Sequence, residues 1–273
     1  MITVLFLCFL SIVAWIINAI IPSRALFEIF FRDTVWNAGS ETTKVAITFD
    51  DGPHPLYTLQ ILDLLDLYGA RATFFFVGKN VEKYPEIAKL ICARGHEIGN
   101  HTYSHRILPL LSTKQIEREI QRTDNVIQRV TGKKPHFVRP PHGYRDARVL
   151  KKLRDMGKKT IFWSVMPYDW ANPGVDVIAS MTLANVNSGA IILLHDNIET
   201  YNQNLFSSNK VGRYLLGVKE RNQTVEALNS ILSSLQSKGY NLVTVTELLF
   251  EQSSDKLTSP SKAASSSARK KAM

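Results

Sequence analysis

Val45-Ala46-Ile47-Thr48-Phe49-Asp50-Asp51-Gly52-Pro53 is an apolar, partly β-branched run that stops on two adjacent acids and a turn dipeptide. It has the composition of a strand, and Gly-Pro marks the turn that ends it. The same unit recurs along the chain. Leu59 to Leu67 has helical apolar spacing, closed by Gly69, and Ala72 to Val77 is the next strand-like run. A helix is expected from Val81 to Ala93 with Gly95 beyond it, then a short strand from His96 to Gly99. Helices follow at Thr113 to Val130, where Ser112 and Gln115 form a capping box, and at Ala147 to Met156, Asp176 to Asn187 and Gln223 to Ser237. Between them lie strand-like runs at Phe137-Val138, Thr160 to Val165, Ala190 to Leu194 and Asn241 to Val243.

About seven strand-helix units predict an α/β fold of parallel strands, open or closed into a barrel. Five polar clusters each fall just after a strand: Asp50-Asp51, His101-Thr102-Tyr103-Ser104-His105, Arg139-Pro140-Pro141-His142-Gly143, Asp169-Trp170 and His195-Asp196. In such folds reactive groups collect at the carboxyl ends of the strands, so the clusters are expected to meet at one mouth.

The chain has 273 residues, 45% hydrophobic, enough for one substantial core. Its charge of +9 suits polyanionic surroundings, while the absence of zinc-finger spacing, aromatic ribonucleoprotein motifs or a concentrated basic helix argues against a nucleic-acid partner. No protein partner is indicated. Cys8 and Cys92 are poorly placed to pair, so no disulfide is expected. Ile2 to Pro22 carries no charge and has the length of a membrane-spanning helix, with no basic residue before it. Residues 1–22 are therefore expected to form an N-terminal hydrophobic helix, a transmembrane anchor or uncleaved signal. Residues 23–43 form a juxtamembrane connector, 44–250 the catalytic domain and 251–273 a disordered basic tail. Residues 197–220 interrupt the rhythm as a loop. Arg24 and Arg32 favour a cytoplasmic C-terminal side.

The clusters hold the parts for metal-assisted hydrolysis of an acyl bond. His101 and His105, four apart, face one way on a helical turn and can grip one cation, and Asp50 and Asp51 are both candidates to complete the ligand set. Whichever acid does not bind metal can take a proton from the attacking water. Arg139 can hold a neighbouring carboxylate in one orientation. His195, closing an apolar run, suits a general acid, with Asp169 as the partner that raises its pKa and Trp170 as an apolar wall for a small acyl group.

On these motifs, across residues 40–250, the chain resembles the polysaccharide deacetylases, the carbohydrate esterase family built on the nodulation-deacetylase homology domain. The resemblance implies a distorted (β/α) barrel with fewer strands than the eight-stranded type. It also implies a divalent metal, usually zinc, held by Asp51, His101 and His105. Asp50 resembles the general base, His195 the general acid and Arg139 the residue that orients the base. The backbone amide of His142 matches a position that helps bind the oxyanion. Met166 stands where the family's fourth motif begins with Asp, and position 142 is His where an aromatic such as Tyr is common. The implied activity is removal of N-acetyl groups from N-acetylglucosamine units of a peptidoglycan or chitin-like polysaccharide. An O-acetyl esterase and a non-catalytic glycan-binding homologue are the alternatives. A domain acting on surface glycans needs the side opposite to the one Arg24 and Arg32 favour; the chemistry carries more weight, and an extracytoplasmic domain is expected.

Overall fold

The computed structural model describes residues 34–197 and 221–250. The expected N-terminal helix, the tail and nearly all of the 197–220 loop lie outside the described residues, and among those described no helix is long and apolar enough to cross a membrane. Among the described residues eight strands form the sheet: β1 (Thr34–Val35), β2 (Lys44–Asp50), β3 (Thr73–Phe76), β4 (Glu97–Asn100), β5 (Phe137–Val138), β6 (Lys159–Ile161), β7 (Ile191–His195) and β8 (Asn241–Val243). Their order is β1-β6-β5-β4-β3-β2-β7, with β8 also on β2, and every pairing between strands is parallel. A bridge between Val165, just past β6, and Ile192 of β7 draws the two ends of this path together into a distorted barrel. β1 falls in the stretch expected to be a connector, where a two-residue strand leaves no periodic signal.

Strand β2 is the spine. Val45 to Phe49 are fully buried because parallel strands are covered on both faces. Alternation then divides the side chains. Val45, Ile47 and Phe49 pack outward against α1 (Tyr57–Leu67), through Ile61, Leu62 and Leu65. They also meet α7 (Asn222–Ser237), through Leu228, Ile231 and Leu232. Ala46 points inward with Phe75, Phe137, Ile161 and Ile191, filling the barrel. The inward column Ala46, Thr48, Asp50 therefore lifts a carboxylate to the barrel's mouth.

The remaining helices among the described residues are α2 (Gly78–Lys83), α3 (Pro85–Ala93), α4 (Thr113–Thr131), α5 (Ala147–Asp155), α6 (Val175–Asn185) and α8 (Val245–Phe250). The single helix expected over 81–93 is two, because Pro85 cannot continue α2 but suits the first turn of α3. The capping box of α4 is present: Ser112 Oγ accepts from Gln115 N, and Gln115 Oε1 accepts from Ser112 N at 2.8 Å. That helix buries Ile116, Ile120, Val126 and Ile127 and turns its arginines outward.

His96 at the start of β4 is buried, and Nδ1 accepts a hydrogen bond from Ala72 N at 3.3 Å, while Nε2 has no partner among the described residues. Burial lowers its pKa to about 4. The unfolded chain takes up a proton below the ordinary value near 6.5 and the folded chain does not. The neutral ring's contribution is thus whole above that value and drains away as pH falls toward 4, by at most about 3 kcal/mol. The stability difference between wild type and His96→Gln, from urea unfolding, should shrink by up to that amount between pH 7 and pH 4. A difference constant over the interval would contradict this account.

Candidate active site

Asp50 ends β2 and Asp51 begins the turn, and the backbone between them changes hand: Asp51 has φ 78°. Consecutive carboxylates thereby take different main partners, with Asp50 Oδ2 also 3.7 Å from His101 Nε2. Asp50 Oδ1 accepts from Arg139 Nη1 at 2.7 Å. The guanidinium is fully buried over the Phe75 ring, and its other donors reach Thr48 Oγ at 2.8 Å, Ile161 O at 3.1 Å and Phe162 O at 2.9 Å. Asp51 Oδ1 lies 3.1 Å from His105 Nε2 and 3.5 Å from His101 Nε2. Burial opposes ionisation of Asp51, yet the adjacent His105 and His101 hold its carboxyl well below the usual range.

The histidine pair is not on a helical turn, as the four-residue spacing had suggested. Residues 101–107 form a loop in which Thr102 (φ 67°) and His105 (φ 54°) are left-handed. An acid from α4 explains why that shape is stable. Glu119 accepts from the backbone N–H of Tyr103 at 3.0 Å and of Ser104 at 2.8 Å, and from Ser104 Oγ at 2.7 Å. Asn100 Oδ1 accepts from Thr102 N, and its amide donates to Ile120 O and Asp124.

His101 Nδ1 lies 2.7 Å from the carbonyl oxygen of Arg139, which can only accept, so Nδ1 carries the proton and Nε2 presents a lone pair. That lone pair, His105 Nε2 at 3.2 Å and the Asp51 carboxylate converge. Two imidazole nitrogens and one carboxylate oxygen within 4.8 Å of one another are a donor set suited to a divalent transition metal. The residues fit such an ion.

Opposite them, His195 Nδ1 is 2.8 Å from Asp169 Oδ1, and its backbone N–H donates to Asp169 Oδ2 at 2.8 Å. Burial, the largest influence, would lower the His195 pKa, but Asp169 foremost, together with Asp51 and Asp50, outweighs it and the net shift is upward. Asp169 is fully buried and is further held by Thr224 Oγ at 3.0 Å, while Arg221 donates to its carbonyl. His142 (φ 57°) sits in the 3-10 turn Pro141–Gly143, its ring edge-on to His105 at 4.7 Å. Gly143 (φ 69°) is required there because a Cβ would lie 2.9 Å from the Trp163 ring. Trp170 and Met166 line the same cleft of about 360 Å³, with Asp50, Asp51 and His195. All nine candidate residues thus gather at one mouth. The six non-glycine residues with positive φ among those described also border this region: Asp51, Thr102, His105, His142, Tyr168 and Asn172. Such backbone typically costs about 1–3 kcal/mol per residue and persists where its surroundings over-determine it.

Several contributors carried no signal of their own. Thr48 is one more strand residue, Glu119 one of many acids on α4, and Arg221 and Thr224 follow the loop that interrupts the repeat. Asp196 was visible beside His195 but had no assigned place. It is fully buried, accepts from Thr58 Oγ at 2.5 Å and lies where a side chain on Gly52 would collide with it. Burial raises its pKa to about 7.

A family model described as polysaccharide deacetylase matches residues 38–161. A peptidoglycan-N-acetylglucosamine deacetylase of Bacillus cereus is 40% identical over 216 residues, 78% of this chain and 92% of that one. A chitooligosaccharide deacetylase of Rhizobium leguminosarum bv. trifolii is 37% identical over 208 residues, covering 75% and 91%. A solved peptidoglycan N-acetylglucosamine deacetylase superposes with a TM-score of 0.71 at 32% identity, covering 80% of this chain and 92% of that one.

Removing one member of a buried ion pair leaves the other charge without compensation, typically at 3–5 kcal/mol. Arg139→Met should therefore destabilise the fold by about that much in urea titration, and adding Asp50→Asn should recover part of the loss. Equal stability of Arg139→Met and wild type would contradict the placement of this pair.

Proposed function

The chain belongs to the polysaccharide deacetylase family, and we propose that it removes N-acetyl groups from N-acetylglucosamine units of a peptidoglycan or chitin-like glycan. It is an amide hydrolase of the deacetylase type. Support for the glycan comes from the relatives, which are named for these substrates. The observation that carries the mechanism is the division of labour between adjacent acids: Asp51 faces two imidazoles and Asp50 faces a guanidinium.

In this proposal Asp51, His101 and His105 hold a divalent metal, with zinc the best match to two imidazoles and one carboxylate. When bound, the ion supplies a Lewis acid that polarises the acyl oxygen and lets water act as a nucleophile near neutral pH. Asp50, oriented by its hydrogen bond from Arg139, takes the proton from the attacking water. The His142 backbone N–H donates to the oxyanion that forms on the carbonyl. His195, protonated and backed by Asp169, delivers its proton to the amine as the carbon–nitrogen bond breaks. Trp170 and Met166 form an apolar wall for the acetyl methyl group. The products are acetate and a glucosamine unit. The same proposal puts the catalytic domain, residues 44–250 together with β1, outside the membrane, where such glycans lie.

Zinc-loaded protein should release acetate from N-acetylglucosamine oligomers or peptidoglycan in preference to O-acetylated xylan. Chelation should stop release and added metal should restore it. Asp50→Asn should lower kcat by about 10²–10⁴-fold while metal affinity holds within a few-fold. No acetate from any of these glycans, or Asp50→Asn keeping more than a tenth of wild-type kcat, would refute the assignment.

The pH profile is a separate check on His195. An acid must be protonated to act, so kcat falls as pH rises through its pKa. Asp169 holds that pKa up, and Asp169→Asn should move this basic limb to lower pH. A limb unmoved in the variant would remove His195 from the role of acid.

A further inference from the structure

Behind the loop that carries the two imidazoles, on the outer face of α4, lies a groove of about 770 Å³ that the mechanism does not use. Its walls hold Arg106, Arg118, Arg122 and Arg129 against only two acids, Glu82 and Glu119, and no lysine. Both acids are already engaged. Glu119 serves the three donors of the Tyr103-Ser104 loop, and Glu82 accepts from the Tyr103 hydroxyl at 2.7 Å and meets Arg129 and Arg122 at 3.4 and 3.9 Å. Arg122 also stacks over the Tyr103 ring at 3.5 Å, which fixes its plane. Among the described residues Arg106 and Arg118 have no carboxylate partner, and both are exposed. A concave surface with two surplus guanidiniums and a third held flat is a recognition surface for oxyanions, which arginine binds through paired N–H donors.

We propose that this groove binds an anionic polymer, gripping phosphate or carboxylate groups spaced along it. The positive charge of the whole chain, +9, would draw such a polymer in from a distance. The groove's length along α4 offers several contacts in a row, and Tyr103, which lines it, stands midway between His101 and His105. A polymer held there is held beside the cleft. Taken with the proposed function, the groove would keep the enzyme on an acidic envelope matrix while the cleft works on the glycan.

Two probes separate the sources of the oxyanion: inorganic polyphosphate and poly-L-glutamate. Binding to the full chain is measured by fluorescence anisotropy across salt concentrations, with no reference to turnover, so a failed deacetylase assignment cannot disguise the result. The pair Arg106→Glu/Arg118→Glu is compared with Lys151→Glu/Lys238→Glu, which changes net charge equally on exposed positions outside the groove. Thermal melting confirms that both variants fold. At low salt the groove variant should bind at least 10-fold more weakly than the control. Its slope of log affinity against log salt should be shallower by about one to two. The polymer that shows the larger loss identifies the preferred oxyanion. Equal weakening in the two variants, or no salt-dependent binding of either polymer by wild type, would overturn the proposal.

Discussion

One buried ion pair organises the mouth of the barrel. Arg139 keeps its charge and cannot be left unpaired where it lies, so the N–H groups it offers need acceptors. Asp50, Thr48 and the carbonyls of Ile161 and Phe162 accept from four of the five, which ties β2 to the chain leaving β5 and to the end of β6. The same residue's carbonyl fixes the tautomer of His101. A single side chain and its backbone thereby set both the orientation of the free acid and the lone pair of the first imidazole.

The neighbouring acid is released from that arrangement by one backbone dihedral. With φ positive at Asp51, its carboxylate turns from Arg139 toward the histidines. Two chemically identical side chains, one residue apart, then occupy unlike environments, and unlike environments are what permit unlike roles. The histidine loop stores a comparable constraint in Thr102 and His105, with Glu119 beneath it. Rigid strands place the parts to within a few ångströms, and these strained loops finish the aim.

The elements with dense apolar periodicity were legible before any coordinates: β2, α1, α4 with its capping box, β7 and α7. So was the convergence of five clusters, because parallel strands deliver their carboxyl ends to one side. What escaped was set by contacts between residues distant in sequence. The shape of the 101–105 loop depends on an acid on α4, and spacing alone wrongly suggested a helical turn. Asp169 is positioned by Thr224 and Arg221, which no local pattern links to it. Two-residue β1 and the break at Pro85 fall below the length at which periodicity speaks, although Pro85 itself was a visible signal. The assignment of Asp50 and Asp51 to different tasks came from resemblance, and the structure supplies a physical reason for it in their different partners.

That division of tasks is the centre of the account, and one measurement addresses it directly. The protein is loaded with one equivalent of zinc, crystallised, and the ion located by anomalous scattering at the zinc edge. The expected result is a single site whose protein ligands are Asp51, His101 and His105, with Asp50 still paired to Arg139. A zinc ion coordinated by Asp50, or bound away from these three residues, would contradict it.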